Sequence, residues 1–504
     1  MTFKIKKSMI LQCLIFFVLF LYFFKIAPIA PYDGDDWSFI GVMRYPIPMW
    51  GVHNPTRVLP EVLMPLCGYL SAYIGYPISH DYIGSIVFFS SIIEAIFSFA
   101  CIYLFYKLLL DKFHFEKNKA ICSEMFFILS LFLIYKIPNQ PSYSSFWAGD
   151  LTCVFFYIIP GLLNASMILY MENKSDFNNY FNNQSSLYQG IFLLILYFTI
   201  FSNTQLTIII ATYAFFKMII ATFEMKNSDT LKVSIKTLKK LWIYLLILGA
   251  WLLSIIFDLN GGRAKEVSNN NSDALGATID QFKILLDHQN RDYLVLSLVM
   301  IAFSLLFNYK KMRNKEFYKL LILSICSELF SLIYLILAYS KAGSFYAHRP
   351  DAMWPVVFYF VYITSLSVAS LINNVRILSA IMPLVLVMGL AIVGNYNFLP
   401  LPASNINHSY GTAKAIDNYI VKQIEMADKR GKSSVTVKVP VDEINNGNWP
   451  HSYYMATSLQ NTLYSHGLIR TRIKIIFKPS SSVNKRFFEN TKDEQPFVPL
   501  EVRK

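Results

Sequence analysis

Long apolar runs alternate with short polar segments over most of this chain, and the runs set its architecture. A helix needs about 20 apolar residues to cross the hydrocarbon core of a bilayer, and on that scale the sequence predicts about eleven spans. In order they are roughly 8–24, 82–108, 121–137, 151–171, 187–202, 205–224, 241–258, 291–309, 320–340, 353–372 and 377–395. The alternation stops after Asn395, and residues 396–504 contain no further run of that length. Their periods are those of a water-facing unit. Thr412 to Met426 reads as a helix, Ser434 to Val441 as a strand, Tyr453 to Leu463 as a second helix and Arg472 to Phe477 as a second strand. The expected fold class is therefore an all-α polytopic membrane protein, residues 1–395, carrying a small α/β C-terminal domain, residues 396–504, with a polar tail from Pro479.

Charge decides one ambiguous stretch. Arg57 to Tyr76 is apolar enough to cross but contains Pro60, Glu61 and Pro65. If it crossed, every later loop would change sides, and the lysine-rich loops at 107–119, 226–240 and 310–319 would leave the side occupied by Lys4, Lys6 and Lys7. Positive residues concentrate on the cytoplasmic side, so the stretch is read as a re-entrant or interfacial helix on the outer face. The N-terminus then lies in the cytoplasm, the first outer loop runs from 25 to 81, and the C-terminal domain is outside. The first apolar run, Met9 to Phe24, resembles a signal peptide but lacks a small-residue cleavage pattern after it, and is read as an uncleaved helix. The loop after Asp258 should carry an amphipathic surface helix through Ile279, Phe282, Leu285 and Leu286.

Composition narrows the class. The chain is 55% hydrophobic and 15% charged, which excludes an ordinary soluble protein. Its net charge of +13 is explained by membrane orientation rather than nucleic acid. The six cysteines fall in or beside apolar runs, so neither a disulfide framework nor a metal cluster is expected. No internal repeat is visible, which weakens an inverted-repeat transporter. Phosphate loops, dinucleotide motifs and metal-type His/Cys spacings are absent, which argues against nucleotide hydrolysis and soluble cofactors.

Candidate chemistry gathers in the outer loops. Tyr32-Asp33-Gly34-Asp35-Asp36-Trp37 places three carboxylates just after the first helix, where acidic groups are paired, solvated or used. In an extended loop Asp33 and Asp35 would share one face and Asp36 the other, offering a base; the alternative is that they are turn and cap residues. Arg57 stands where the interfacial helix begins, a position suited to a phosphate at the membrane surface, or it pairs with Glu61 or lipid headgroups. Lys341, His348 and Arg349 form a second basic group, for an anionic headgroup or for simple interfacial solvation. Trp147 and Asp150 would line a sugar site or, for Trp147, anchor the interface. Glu94, Lys217 and Glu328 lie inside spans; Lys217 and Glu328 share the cytoplasmic half and are expected to pair.

A first helix running outward, an acidic pair just beyond it, an interfacial helix in the same loop, about eleven spans and an outer C-terminal domain together resemble the GT-C superfamily of membrane glycosyltransferases. Within it the chain is similar to the serotype-converting O-antigen glucosyltransferases of enteric bacteria and their phages. Those carry an acidic pair followed by a Gly-Arg-Pro-Leu-like helix start; here Thr56-Arg57-Val58-Leu59-Pro60 stands at that place, matching at Arg57 and Leu59 and departing at the Gly and Pro. The resemblance implies an enzyme of the bacterial inner membrane. It would move glucose from undecaprenyl-phosphate glucose to lipid-linked O-antigen on the periplasmic face, among membrane lipids and without nucleic acid. Asp35 would be the general base and Asp36 would orient it, orient the acceptor or help hold a divalent ion. Arg57 with Arg349 or Lys341 would hold the phosphate, and His348, Trp37 and His53 complete the expected substrate-binding set. No cofactor is expected, and no metal is predicted although a divalent cation is compatible. The competing expectations are another polyprenyl-phosphate-sugar transferase, an O-antigen polymerase or ligase, and, in a different class, a transporter or flippase.

Overall fold

The computed structural model describes residues 7–32, 34–136, 143–174, 176–226, 235–262, 274–311, 315–394, 410–440 and 455–488. Asp33, Arg263 with the Asn/Ser run after it, and the tail beyond Phe488 lie outside them. The helices in order are α1 (Ser8–Ile26), α2 (Gly34–Ile40), α3 (Pro60–Leu70), α4 (Tyr76–Ser79), α5 (Tyr82–Asp111), α6 (Lys117–Leu133) and α7 (Leu151–Glu172). Then come α8 (Phe177–Asn182), α9 (Ser186–Ile200), α10 (Ile208–Lys226), α11 (Ile235–Leu259) and α12 (Ala274–Asp287). The membrane module closes with α13 (Arg291–Lys311), α14 (Lys315–Ala342), α15 (Trp354–Asn374) and α16 (Arg376–Gly394).

Among the described residues, 8 helices are long and apolar enough to cross a membrane: α1, α5, α7, α11, α13, α14, α15 and α16. The other three expected spans are helical as well, as α6, α9 and α10, but fall outside that count. The Arg57–Tyr76 stretch is not among the eight either, on apolarity rather than length. It forms α3, a π-helical turn at Ser71–Gly75 and the four-residue α4.

Two spans make the centre of the bundle. The whole of the α7 apolar stretch is buried, and α15 buries nearly all of its length, with Trp354, Phe358 and Tyr362 stacked one turn apart. Helices α1, α13 and α16 instead turn most of their surface outward, as lipid-facing spans do.

The buried ion pairs are not the ones the sequence favoured. Lys217 does not pair with Glu328; its Nζ lies 2.6 Å from Glu172, at the far end of α7. Glu172 also takes Lys112 and accepts the Tyr213 hydroxyl at 2.8 Å. Reading depth along each span made Glu328 the nearer carboxylate, whereas the packing of α7 against α5 and α10 brings a helix terminus to both lysines. A carboxylate surrounded by two ammonium groups and a hydroxyl has the partners that make burial tolerable.

The C-terminal unit follows the sequence closely. Helix α17 (Tyr410–Lys429), strand β1 (Ser434–Val439), α18 (Met455–Ser465), β2 (Lys474–Pro479) and α19 (Ser481–Phe488) build it, with β1 and β2 paired in parallel from Ser434–Lys474 to Val439–Pro479. It sits on the membrane module through α2. The Thr462 hydroxyl donates to the Trp37 carbonyl at 2.6 Å, the Ser465 hydroxyl to the Gly41 carbonyl at 2.8 Å, and Ser38 and Ser458 share a 2.7 Å bond.

Candidate functional site

The Asp35-Asp36 pair is helical, not extended. Gly34 opens α2, and both carboxylates lie in its first turn, where the free backbone N–H groups favour negative charge. Neighbours on a helix point about 100° apart, and that angle separates them. Asp35 is exposed and Asp36 is completely buried. Asp36 Oδ1 accepts the backbone N–H and the hydroxyl of Thr152, each at 2.7 Å, and Oδ2 accepts the Tyr32 N–H at 2.9 Å. One carboxylate thus joins α2 to the start of α7.

The opening of α7 also gathers the cationic side of the site. Asp150 caps it, accepting the Cys153 N–H, and is half-buried. Burial raises its pKa, Arg349 opposes that and Asp35 adds to it, with a net rise, so Asp150 feels both the α2 acid and the arginine. Arg349 binds Asp351 as a fork, Nε to Oδ1 at 3.1 Å and Nη2 to Oδ2 at 2.6 Å, and Nη2 also reaches Cys153 Sγ at 2.9 Å. Its guanidinium lies 5.2 Å from the centre of the Tyr157 ring. Arg57 lies 5.9 Å from the centre of that same ring and 5.2 Å from that of Phe156. Both cations are therefore brought together by one aromatic side chain, a contact that suits planar guanidinium groups.

Tyr157 and Phe156 belong to a π-helical turn, Val154–Ile158, inside the otherwise α-helical span. Such turns recur at functional sites because the extra residue re-aims the side chains around it. Thr152, Cys153, Phe156, Tyr157 and Asp351 were not visible as site residues in the sequence. Residues 151–158 read simply as the start of an apolar run, and only the Asp351 carboxylate beside Arg349 carried a usable signal.

The remaining expected residues are placed differently. Glu61 is not the partner of Arg57: it pairs with Arg44 at 2.9 Å, and Arg44 also donates to the carbonyls of Asn54 at 2.7 Å and Pro55 at 3.2 Å, fastening the loop before α3. Arg57 is itself buried, with the N–H groups of Val58 and Leu59 held by the Phe201 carbonyl. Trp37 is 1% exposed and packs in the core, so its indole presents no surface to a ligand. His53 is exposed at the tip of the same loop, against Gly262. Lys341 is exposed at the end of α14. His348 is half-buried in a 3₁₀ turn, Ser344–His348. Burial first, then Arg349 and His288, lower its pKa to about 4 against the pull of Asp351. It is neutral near pH 7 and adds no positive charge to the arginine pair.

Arg349→Lys tests the fork. A lysine ammonium cannot keep two parallel bonds to Asp351 and a ring face together, so the substitution is expected to lower stability by about 1–3 kcal/mol. Thermal unfolding of the purified chain measures it, and an unchanged midpoint would show that the fork contributes nothing.

Among the described residues no group of three or more His, Cys, Asp or Glu side chains is placed to hold a metal ion. The cations of the site are Arg57 and Arg349, and its exposed carboxylate is Asp35.

The fold and its long apolar helices define a helical, polytopic, membrane-embedded protein that bears a small C-terminal α/β unit. No protein-family model, curated protein or solved structure matches the chain.

Proposed function

We propose that the chain is a lipid-phosphate-sugar-dependent glycosyltransferase that moves glucose from undecaprenyl-phosphate glucose to O-antigen repeat units on the periplasmic face of the inner membrane. The observation that carries the reading is that an exposed Asp35, in the first turn of α2, and Arg349 both act on Asp150, while Arg57 is drawn with Arg349 onto the Tyr157 ring. The lysine distribution supports the orientation, with α2 and the C-terminal unit outside.

The chemistry is economical. The acceptor hydroxyl oxygen forms the new bond to the anomeric carbon while the bond from that carbon to the phosphate oxygen breaks, and undecaprenyl phosphate departs with the electron pair. Phosphate leaves readily, so no strong general acid is required. Asp35 takes the hydroxyl proton. Arg57 and Arg349 steady the charge on the departing phosphate, in surroundings drier than bulk water where such contacts are stronger. Asp36 acts from behind, fixing the direction of α2 through Thr152 and Tyr32. The C-terminal unit, seated beside this helix, is the surface on which the polysaccharide acceptor would lie.

The test is expression in a strain of defined O-antigen, followed by analysis of the polysaccharide. The expected result is an added hexose with the wild-type chain and none with the Asp35→Asn/Asp36→Asn double variant. A wild-type chain that adds nothing, or a double variant that adds sugar normally, overturns the reading.

A further inference from the structure

Asp417 is a carboxylate in a place meant for an apolar side chain. It lies on the buried stripe of α17, flanked by Ala413, Ile416, Ile420 and Ile424, and is 1% exposed. Among the described residues neither of its oxygens meets a hydrogen-bond donor. A charged carboxylate in that situation is strongly disfavoured, because nothing replaces the water it has lost.

The charge facing Asp417 is negative as well. Burial, and then the Asp36 carboxylate of α2, raise the Asp417 pKa well above the ordinary aspartate range. Among the described residues no cation offsets this, and charged groups on the elements around it are engaged elsewhere. Lys414 pairs with Asp81 just before α5, and Glu425 accepts the Tyr76 hydroxyl of α4 at 3.4 Å. Asp428 takes the N–H groups of Arg470 and Thr471. Just after α18, His466 bonds the Tyr82 hydroxyl at 2.6 Å through Nδ1, and burial lowers its pKa to about 4, so it too is uncharged near pH 7. Asp417 is therefore biased toward its neutral form, which spares Asp36 a second facing charge.

We propose that Asp417 is a positioning residue for the Asp35-bearing helix: as a neutral acid behind Asp36 it lets the C-terminal unit seat on α2, and that seat holds α2 in place. Ionisation of Asp417 sets a second negative charge against Asp36 and loosens the contact made by Thr462, Ser465 and Ser458. The claim about α2 stands on the packing alone. That the helix so held is catalytic rests on the transferase reading above.

The sign of the effect is fixed. The folded-state pKa is raised, so the stability linked to the Asp417 proton is complete below about pH 4, the unfolded value, and is lost as pH rises from there toward the folded value. Asp417→Asn keeps the shape and removes the titration.

The test uses the purified full chain in detergent from about pH 5 to 8.5, a range bracketing neutrality above the unfolded pKa. Asp417→Asn is expected to unfold at a higher temperature than wild type, with a gap that widens as pH rises. Hydrogen exchange of the α2 amides, corrected for intrinsic rate, should lose protection with rising pH in wild type and not in the variant. A gap that does not change with pH, a variant that folds less well than wild type, or α2 protection identical in the two chains at every pH overturns the proposal. Sugar transfer measured over the same range should fall at high pH in wild type and flatten in Asp417→Asn. If wild type transfers no sugar, the transferase reading fails while the exchange result still decides the role of Asp417.

Discussion

Asp35→Asn is expected to remove sugar transfer by about 10²–10⁴-fold, the range over which a positioned general base acts, while leaving the fold intact. The two halves of that expectation come from the same observation. Asp35 is exposed in the first turn of a short helix, and exposed substitutions away from special geometry change stability within about 0.5 kcal/mol. Asparagine keeps the shape but cannot accept a proton at neutral pH. The measurement is transfer rate beside unfolding temperature. Near-normal transfer by Asp35→Asn would displace the base to another residue, with Asp150 the next carboxylate to examine. The neighbouring substitution should behave differently. Asp36→Asn disturbs three inward bonds, so its loss of transfer should come with a lowered unfolding temperature.

Glu172→Ala is expected to be the most destabilising single change in the membrane module, by about 3–5 kcal/mol. The side chain of Glu172 is 1% exposed, and its removal leaves Lys112, 8% exposed, and Lys217 without a counter-charge. Losing the acceptor of the Tyr213 hydroxyl adds to the cost. Replacing Lys217 by Met together with Glu172 by Gln should restore part of the folded yield, because fewer charges are then stranded. Thermal unfolding and detergent-extracted yield measure both. Wild-type stability in Glu172→Ala, or no recovery in the double variant, would show that the pair is dispensable. The same experiment on Glu328 should give a smaller change.

Much of the fold was legible because it is written in local pattern. Apolar runs mark the long helices, Pro60 and Pro65 set the stretch after Arg57 apart, and period marks α17, β1, α18 and β2 of the C-terminal unit, whereas α19 lies in what read as a polar tail. Helices α6, α9 and α10 stand where the other three spans were expected, with their ends displaced by a few residues, because composition reports hydrophobicity along the chain and not where a helix stops. The acidic pair was also legible, yet its division of labour was not: Asp35 and Asp36 differ only in which way a helix turns them. What remained hidden depends on contacts across great separations. Asp36 finds Thr152 116 positions away, and Arg349 finds Cys153 across 196. Asp417 was concealed for the opposite reason, since one acid in an amphipathic helix looks like part of its wet face until the helix is docked.

The π-helical turn at Val154–Ile158 gives the bundle a phase as well as a shape. One residue in an α-helix corresponds to about 100° of rotation, so the extra residue accommodated there sets the angular offset between Thr152 above it and the body of α7 below. Thr152 aims at the acid and Tyr157 at the two arginines. Chain length inside this span is therefore as constrained as chemistry: a one-residue deletion between them would swing the arginine platform to another side of the helix, although every side chain of the site were kept.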